Sequence, residues 1–474
     1  MASENIKQPL LRLRPDEQKA LIFSGDLIVA LIAFVGGVYF WAIADPFLDF
    51  SFEFFQKRIQ WWYYLLPVIW LVMMVELYDL HRAANWRKTL RGLMIVAVIG
   101  LLGYALFFFT TEEPNSLPRR GVAGFLVLAF SLTLIWRLIY IRFYTTQGLM
   151  GRVLIVGAGA NGSTLAEMYK DMNPSPFTLV GFIDDDPEKA GTYLEGYRIF
   201  AGSDRLLELI DLLNISDVIV SITGEMRGQT FQALLDAQER GVEVTRMRTV
   251  YEELLGRVPI HHLESDWVIR SFVDEARASG FYQIASRVLD ILASLVGMLM
   301  FLLMLPFVGL AILLDDGWPI FYRQARLGRG GRDFEIVKLR TMIKDAEADG
   351  KAQVAEEHDP RVTRVGGFLR RSRLDEFPQF WNVLRGEMAM VGPRAERAEL
   401  VEKYQRKIPF YRARLMVKPG LTGWAQVNYG YAATVEDTEI KLEYDLYYIK
   451  HRSIVMDILI ILRTITTVVS RRGR

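Results

Sequence analysis

The chain has 474 residues, 56 basic against 55 acidic side chains and no cysteine. The missing cysteine excludes a disulfide framework, a thiolate metal site and a cysteine nucleophile, and the near-zero net charge argues against a protein built to neutralise nucleic-acid phosphates. Mean hydropathy is +0.17 although 23% of the residues are charged, so the apolar residues are gathered into blocks, the pattern of an integral membrane protein with soluble portions.

Four apolar blocks come first: Ala20 to Ala44, Trp61 to Tyr78, Gly92 to Phe109 and Gly121 to Tyr140. Each has about the 17–25 residues that cross a bilayer core as a helix. The first is too long for a cleavable signal peptide and lacks its small-residue cleavage site. Basic residues collect on one side of the blocks, at Lys7, Arg12, Arg14 and Lys19, at Arg82, Arg87, Lys88 and Arg91, and at Arg142 and Arg152. The opposite loops hold only Lys57 and Arg58, then Arg119 and Arg120 beside Glu112 and Glu113. Both ends of a four-helix transmembrane bundle therefore face the cytoplasm. Asp26 and Glu76 fall within or at the edge of the spans, where a charge is expensive; a functional acid, snorkelling and a helix–helix contact are the available explanations.

From Gly151 to about Glu253 the pattern changes to short β-branched runs alternating with amphipathic segments. Arg152–Val156, Thr178–Ile183, Asp217–Ile222 and Gly241–Thr245 read as strands, and Ser163–Lys170 as a helix. Gly157, Gly159 and Gly162 after the first strand, with Asp184 after the second, form a candidate nucleotide loop in a Rossmann-like fold. The same loop also reads as a fold feature that binds nothing or only a regulatory nucleotide. Lys170 and Lys189 have no tyrosine four positions before them, so the Tyr-x-x-x-Lys pair of redox sugar-nucleotide enzymes is missing.

A fifth apolar run, Ile291 to Leu314, contains Pro306 and carries no charge. It is long enough to cross, or to enter, break at the proline and return to the same face. Beyond it lie Gln324 and Arg326, then Lys338 and Arg340, then Arg370 ahead of the adjacent acids Asp375 and Glu376, and finally Pro393 and Arg394. A carboxylate can attack phosphorus while arginines and a divalent cation neutralise the phosphate oxygens, so the constellation suits phosphoryl transfer. Asp-Glu neighbours among arginines also read as a solvated ion-pair surface. Taken as a helix, the segment points the two acids about 100° apart, which suits two roles rather than one. The last apolar segment, Ile454 to Val469, is interrupted by Asp457 and Arg463 and reads as a helix in the membrane interface. Phe410, Tyr411, Tyr447 and Tyr448 suit that boundary or ordinary core packing.

Order and spacing add a resemblance. Gln324 to Gly328, Lys338-Leu339-Arg340-Thr341-Met342, Asp359 to Arg364, Leu374 to Met388, Val391-Gly392-Pro393-Arg394 and Lys418 to Val427 closely resemble the bacterial sugar transferase family, the polyprenyl-phosphate sugar-1-phosphate or monotopic phosphoglycosyl transferases. The resemblance covers about 287–467, and the preceding helices and Rossmann-like segment are similar to the family's large members. It implies that Asp375 attacks the β-phosphate of a UDP-sugar, releases UMP and holds the sugar phosphate until undecaprenyl phosphate takes it. Glu376 would assist with Mg²⁺ or proton handling, the pair being the candidate metal ligands. Lys338, Arg340, Arg370, Pro393, Arg394, Gln324 and Arg326 would bind substrate. Two departures stand out: Ala395 replaces the second proline of a Pro-Arg-Pro turn, and Tyr429-Gly430-Tyr431 stands where many members have Gly-Arg.

Because UDP-sugars are cytoplasmic, the resemblance also implies that the fifth run re-enters. The expected fold class is a membrane protein, α plus α/β. It comprises a four-helix transmembrane bundle (1–148), a Rossmann-like middle domain (149–255), a linker (256–283) and a mostly α catalytic domain (284–474) anchored by a re-entrant helix (287–315). Its expected location is the bacterial inner membrane with the catalytic domain on the cytoplasmic face. The expected product primes capsule, exopolysaccharide or O-antigen synthesis, with glucose or galactose as the sugar. A homodimer through the bundle and middle domain is compatible with the sequence, and no nucleic acid is expected. The alternative is a membrane-anchored nucleotide-sensing scaffold without turnover.

Overall fold

A computed structural model describes residues 15–43, 45, 48–78, 83, 85–110, 118–144, 151–172, 175–222, 224, 226–262, 280–344, 346, 359–430 and 434–469. Lys7, Arg12, Arg14, Arg82, Glu112, Glu113 and Tyr431 lie outside the described residues, as does the side chain of Glu76. The chain divides into two units, Met1–Val250 and Tyr251–Arg474.

In the first unit the apolar blocks become α1 (Pro15–Ala42), a segment around α2 (Leu66–Met73), α3 (Trp86–Thr110) and α4 (Arg119–Tyr144). The second block differs from expectation. It is not one long helix: 3-10 turns, Trp61–Leu65 and Val75–Tyr78, flank α2. Its apolar helical part, Trp61–Met73, is shorter than a span, and among the described residues of this unit three helices are long and apolar enough to cross a membrane: Glu17–Ala42, Trp86–Ala105 and Arg119–Phe143. Small residues let α1 and α4 approach, since a Cβ on Gly37 would lie 2.8 Å from the Gly121 carbonyl oxygen. Asp26 on α1 is explained by a helix–helix contact. Arg137 of α4 donates to both its carboxylate oxygens at 2.7 and 3.3 Å, and to the Leu77 carbonyl at 2.8 Å. Both side chains are fully buried, so the ion pair closes the polar requirement that each would otherwise carry into the membrane.

The Rossmann-like segment forms a parallel sheet in the order β2–β1–β3–β4, from β1 (Arg152–Val156), β2 (Thr178–Ile183), β3 (Asp217–Val220) and β4 (Glu243–Arg246). Helices α5 (Ala160–Lys170), α6 (Leu206–Leu213) and α7 (Gly228–Glu239) make the crossovers. Leu154, Ile155 and Val156 are all buried, the continuous apolar run of a strand covered on both faces. The helix begins three residues earlier than the sequence suggests, directly on Gly159.

The second unit starts at Tyr251, inside the expected Rossmann-like domain, and continues into residues that the sequence reads as linker. Val258 and Ile260 instead enter its hydrophobic core with Val383, Met390, Leu446 and Ile449, and Glu443 accepts from Tyr251 Oη and the Ile260 amide. Helix α8 (Gly280–Asp316) then runs through Pro306 without interruption, which corrects the expected break. The proline removes one backbone bond, but residues on both sides of it, Phe301 and Leu305 before and Val308 and Ile312 after, pack on Leu339 and Leu369. That shared cluster holds the helix together across the proline. The hairpin β5 (Phe321–Leu327) and β6 (Asp333–Leu339) follows, then α9 (Arg364–Ser372), α10 (Gln379–Arg385), the parallel pair β7 (Ala389–Val391) and β8 (Gly420–Thr422), α11 (Val435–His451) and α12 (Ile454–Val469).

Candidate active site

Asp375 and Glu376 lie on a 3-10 turn between α9 and α10, rather than on an α-helix. Arg373 ends α9 in the left-handed region, at φ 55°, which reverses the chain and brings the two acids out. On either side of the pair, Leu374 and Phe377 enter the cluster that packs on α8. The site thus rests on the unit's long apolar helix.

The period of two in the hairpin puts Tyr322, Gln324 and Arg326 on one face with Lys338 opposite Tyr322. These side chains form a chain of contacts: Arg326 donates to Gln324 at 2.6 Å, and Gln324 donates to Tyr322 at 3.0 Å. Lys338 reaches Glu376 at 3.3 Å, Arg394 reaches the same oxygen at 2.7 Å, and Arg373 approaches the other oxygen at 3.8 Å. Arg370 donates to Thr341 Oγ1 at 2.9 Å and adds its charge to the field at Asp375. Among the described residues Asp375 accepts no hydrogen bond and joins no ion pair.

The neighbouring carboxyls are driven apart electrostatically. Burial and the adjacent Glu376 charge raise Asp375 to about 6, against Lys338, Arg394 and Arg370. Burial also opposes ionisation of Glu376, but Arg394, Lys338 and Arg373 overcome it and hold that carboxyl well below its ordinary range. Lys338 is lowered by burial and by Arg394 despite Glu376; Arg326 is lowered by burial and the same arginine despite Glu396. The outcome is one clamped anion, one open carboxyl and a surplus of cations, an arrangement fitted to an anionic ligand.

Arg394 and Pro393 owe their placement to glycines. A Cβ on Gly392 would lie 2.5 Å from the Lys418 carbonyl oxygen, and one on Gly423 would lie 2.2 Å from the Gly392 carbonyl oxygen. Only bare backbone lets β7 and β8 pair this closely, and the Gly420 amide then donates to the Pro393 carbonyl at 2.9 Å. Ala395, which replaces the second proline of the Pro-Arg-Pro turn, is itself buried, and its carbonyl accepts from Arg326 at 3.4 Å.

The structure brings together Asp375, Glu376, Lys338, Arg370, Pro393, Arg394, Gln324 and Arg326, but it sets Arg340 apart. Strand β6 ends at Leu339, and the buried Arg340 guanidinium donates to the carbonyls of Asp316 and Gly317 at 2.9 and 2.5 Å, capping α8. Sequence reasoning missed Arg373, which approaches Glu376, and Arg414 and Asp445, which pair at 2.9 Å behind the Arg394 carbonyl. An acid on the apolar face of α11 was a signal for Asp445, since a buried carboxylate needs a partner; Arg373 and Arg414 had none.

Among the described residues no three His, Asp or Glu side chains form a metal-binding group. Magnesium, however, is commonly held by one or two carboxylates together with substrate phosphates. The open oxygens of Asp375 fit that mode; those of Glu376 are largely engaged.

In the other unit, Gly157 has φ 108° and accepts from Ser221 at its carbonyl, and a Cβ on Gly162 would meet that carbonyl oxygen at 2.4 Å. These glycines serve the strand–helix turn, while a Cβ on Gly159 would meet nothing within 4 Å. Asp184 accepts from the Ala158 and Asp186 amides at 2.7 and 3.0 Å and pairs with Lys189 at 3.2 Å. The carboxylate of the candidate nucleotide loop is thus engaged within the protein.

Tyr411 and Tyr448 belong to the core and not to a membrane boundary, and Tyr447 stacks on Trp424.

Residues 281–471 match the family described as bacterial sugar transferase, and residues 73–243 match one described as CoA-binding domain. The chain is 41% identical over 232 residues to the UDP-N-acetylgalactosamine-undecaprenyl-phosphate N-acetylgalactosaminephosphotransferase of Aeromonas hydrophila, covering 49% of this chain and 53% of that one. It thus spans about half the length of that relative. It is 30% identical over 431 residues to the UDP-glucose:undecaprenyl-phosphate glucose-1-phosphate transferase of Xanthomonas campestris pv. campestris, covering 85% and 86%. Among solved structures, UDP-D-quinovosamine 4-dehydrogenase from Vibrio fischeri aligns at 27% identity over 25% of this chain and 98% of that one, with a TM-score of 0.20. With the alignment to the Xanthomonas protein running through nearly the whole of both chains, the protein belongs to the bacterial sugar transferase family.

Proposed function

We propose that the protein transfers a sugar-1-phosphate from a UDP-sugar to undecaprenyl phosphate. In the first step an oxygen of ionised Asp375 bonds to the β-phosphorus, the bond from that phosphorus to the bridging oxygen breaks, and UMP leaves with the electron pair. In the second, a phosphate oxygen of undecaprenyl phosphate bonds to the same phosphorus and Asp375 departs as carboxylate, giving undecaprenyl-diphosphate-sugar. The observation that carries this reading is the division of the acid pair: Glu376 clamped by Arg394 and Lys338, Asp375 partnerless and raised to about 6.

Arg394, Lys338 and Arg326 would meet the diphosphate oxygens, whose negative charge satisfies the cationic surplus. Magnesium would be held by Asp375, with Glu376 beside it, and would neutralise phosphate charge. The relatives' names carry N-acetylgalactosamine, glucose and galactose, so the sugar is read from an assay rather than from the motifs.

The reading places the catalytic unit on the cytoplasmic face of the inner membrane, with α8 re-entering. Both parts of α8 bond to the fold that carries Asp375. Arg287 donates to the Val383 and Leu384 carbonyls at 2.7 Å each, and Asp315 accepts from the Val365 amide at 2.9 Å. An unbent helix of this length reaches about 55 Å, so re-entry needs α8 to bend at Pro306, where one backbone bond is already missing; the bonds from both of its ends to the same fold favour that bend over a crossing. Leu292, Val296, Leu299, Leu303, Phe307 and Leu310 face outward, an apolar surface suited to lipid. On α12 Asp457 turns inward to Tyr448 and Tyr282 and Arg463 bonds Asn428 at the surface, while Val455, Ile458 and Ile465 are exposed. Exposed apolar residues with the acid drawn into the fold suit an interfacial helix. The products would prime capsule, exopolysaccharide or O-antigen assembly.

The test is UMP release by the purified protein with Mg²⁺, undecaprenyl phosphate and a panel of UDP-sugars. At least one donor is turned over, and Asp375→Ala abolishes it; full activity in that variant refutes the mechanism.

A further inference from the structure

Arg394 lies in the loop after β7, at an isolated bridge to Gly420, and its side chain is 42% exposed. A long side chain in that setting loses rotamer freedom only if its backbone is fixed. Here four consecutive carbonyls are held: Pro393 by the Gly420 amide, Arg394 by Arg414 Nη2 at 3.1 Å, Ala395 by Arg326 Nη1 at 3.4 Å, and Glu396 by the Leu327 amide. The donor to Arg394 is itself locked. Arg414 Nη2 lies 2.9 Å from Asp445 Oδ2, its Nη1 donates to Tyr411 Oη at 2.7 Å, and the guanidinium stands 5.2 Å from the Tyr411 ring centre. Arg414 and Asp445 are both buried.

A buried guanidinium–carboxylate pair gives little net stability over apolar residues of the same size. What this pair supplies is a donor fixed in place, planar and permanently charged. We infer that Arg414 and Asp445 act as a positioning pair, holding the Arg394 backbone so that its guanidinium stays on Glu376 and in reach of the donor's phosphates. The role rests on the proposed function. Neither residue touches the acid pair; both act through Arg394.

Arg414→Lys keeps the charge and loses the fork. In the purified full-length protein assayed for UMP release, it lowers kcat about tenfold, the scale of a small misplacement of a reacting group, while KM for the UDP-sugar and the unfolding midpoint change little. A double-mutant cycle separates positioning from bulk effects: in an Arg394→Lys background, Arg414→Lys costs little more. Independent, multiplying losses, or a kcat loss matched by a fall in unfolding midpoint, overturn the inference. A second readout needs no turnover. In a crystal or cryo-EM structure of Arg414→Lys the Arg394 guanidinium has left Glu376; finding it still within hydrogen-bond distance also overturns the inference. If the wild type releases no UMP from any donor, the proposed activity fails and the structural readout alone decides the positioning role.

Discussion

Two carboxyls on adjacent residues behave as different chemical groups because their surroundings differ. Glu376 spends its life as an anion between Arg394 and Lys338. Asp375 keeps a proton more readily, at about 6, since burial and that neighbouring charge both disfavour its ionised form. The sign of the pH dependence follows: attack needs the ionised form, and lowering the pH through 6 removes it. In the metal-free protein the Asp375 carboxyl, followed by infrared difference against Asp375→Asn, therefore titrates near 6; a midpoint near 4, the ordinary carboxylate value, contradicts this environment for Asp375. At this scale the sequence was informative wherever ordered motifs surround a residue, as for Asp375, Lys338 and Arg394. It failed at Arg340, two positions beyond Lys338, because β6 stops between them and the alternation that keeps such residues on one face ends with it. Arg340→Ala accordingly uncaps α8 and costs about 3 kcal/mol of stability, seen as a lower unfolding midpoint in detergent, with KM for the UDP-sugar unchanged. A large rise in KM with unaltered stability would return Arg340 to the substrate.

Elements were legible by period and length, and the exceptions have physical causes. The inner strands β1 and β3 carry continuous apolar runs, and all four strands of the parallel sheet fall within two residues of their expected ends. The second apolar block changes helix type, with Pro67 near the start of its α-helical part, and composition alone does not report a 3-10 turn. Pro306 is a local signal for interruption that tertiary packing overrides, because Phe301 and Ile312 find one common cluster. The acid-bearing turn depends on how closely α9 meets the end of β6. A Cβ on Gly366 would lie 2.1 Å from the Thr341 carbonyl oxygen, and backbone cannot move aside cheaply. Gly366→Ala should destabilise the second unit by about 1–3 kcal/mol and lower UMP release as the turn shifts; an unchanged unfolding midpoint would show that α9 has room to slide.

Taken as a whole, the chain has a first unit with helices long and apolar enough to cross a membrane, and a second unit whose long helix is apolar on its outer side. Topology is open to direct test because no native cysteine interferes. Phe281→Cys and Trp318→Cys, at exposed positions at the beginning of α8 and just after it, should both react with an impermeant maleimide from the cytoplasmic face; labelling from opposite faces would make α8 a crossing. Loss of the buried partner in the first unit, by Asp26→Ala, leaves Arg137 uncompensated and costs about 3–5 kcal/mol, readable as a lower unfolding midpoint; unchanged stability would mean that Arg137 finds other acceptors. The central claim concerns one bond, and mass spectrometry tests it most directly. With a turned-over UDP-sugar and no lipid acceptor, the peptide containing Asp375 should gain the mass of the sugar phosphate and lose it when undecaprenyl phosphate is added. An active enzyme that carries no adduct, or carries it on another residue, would contradict the account.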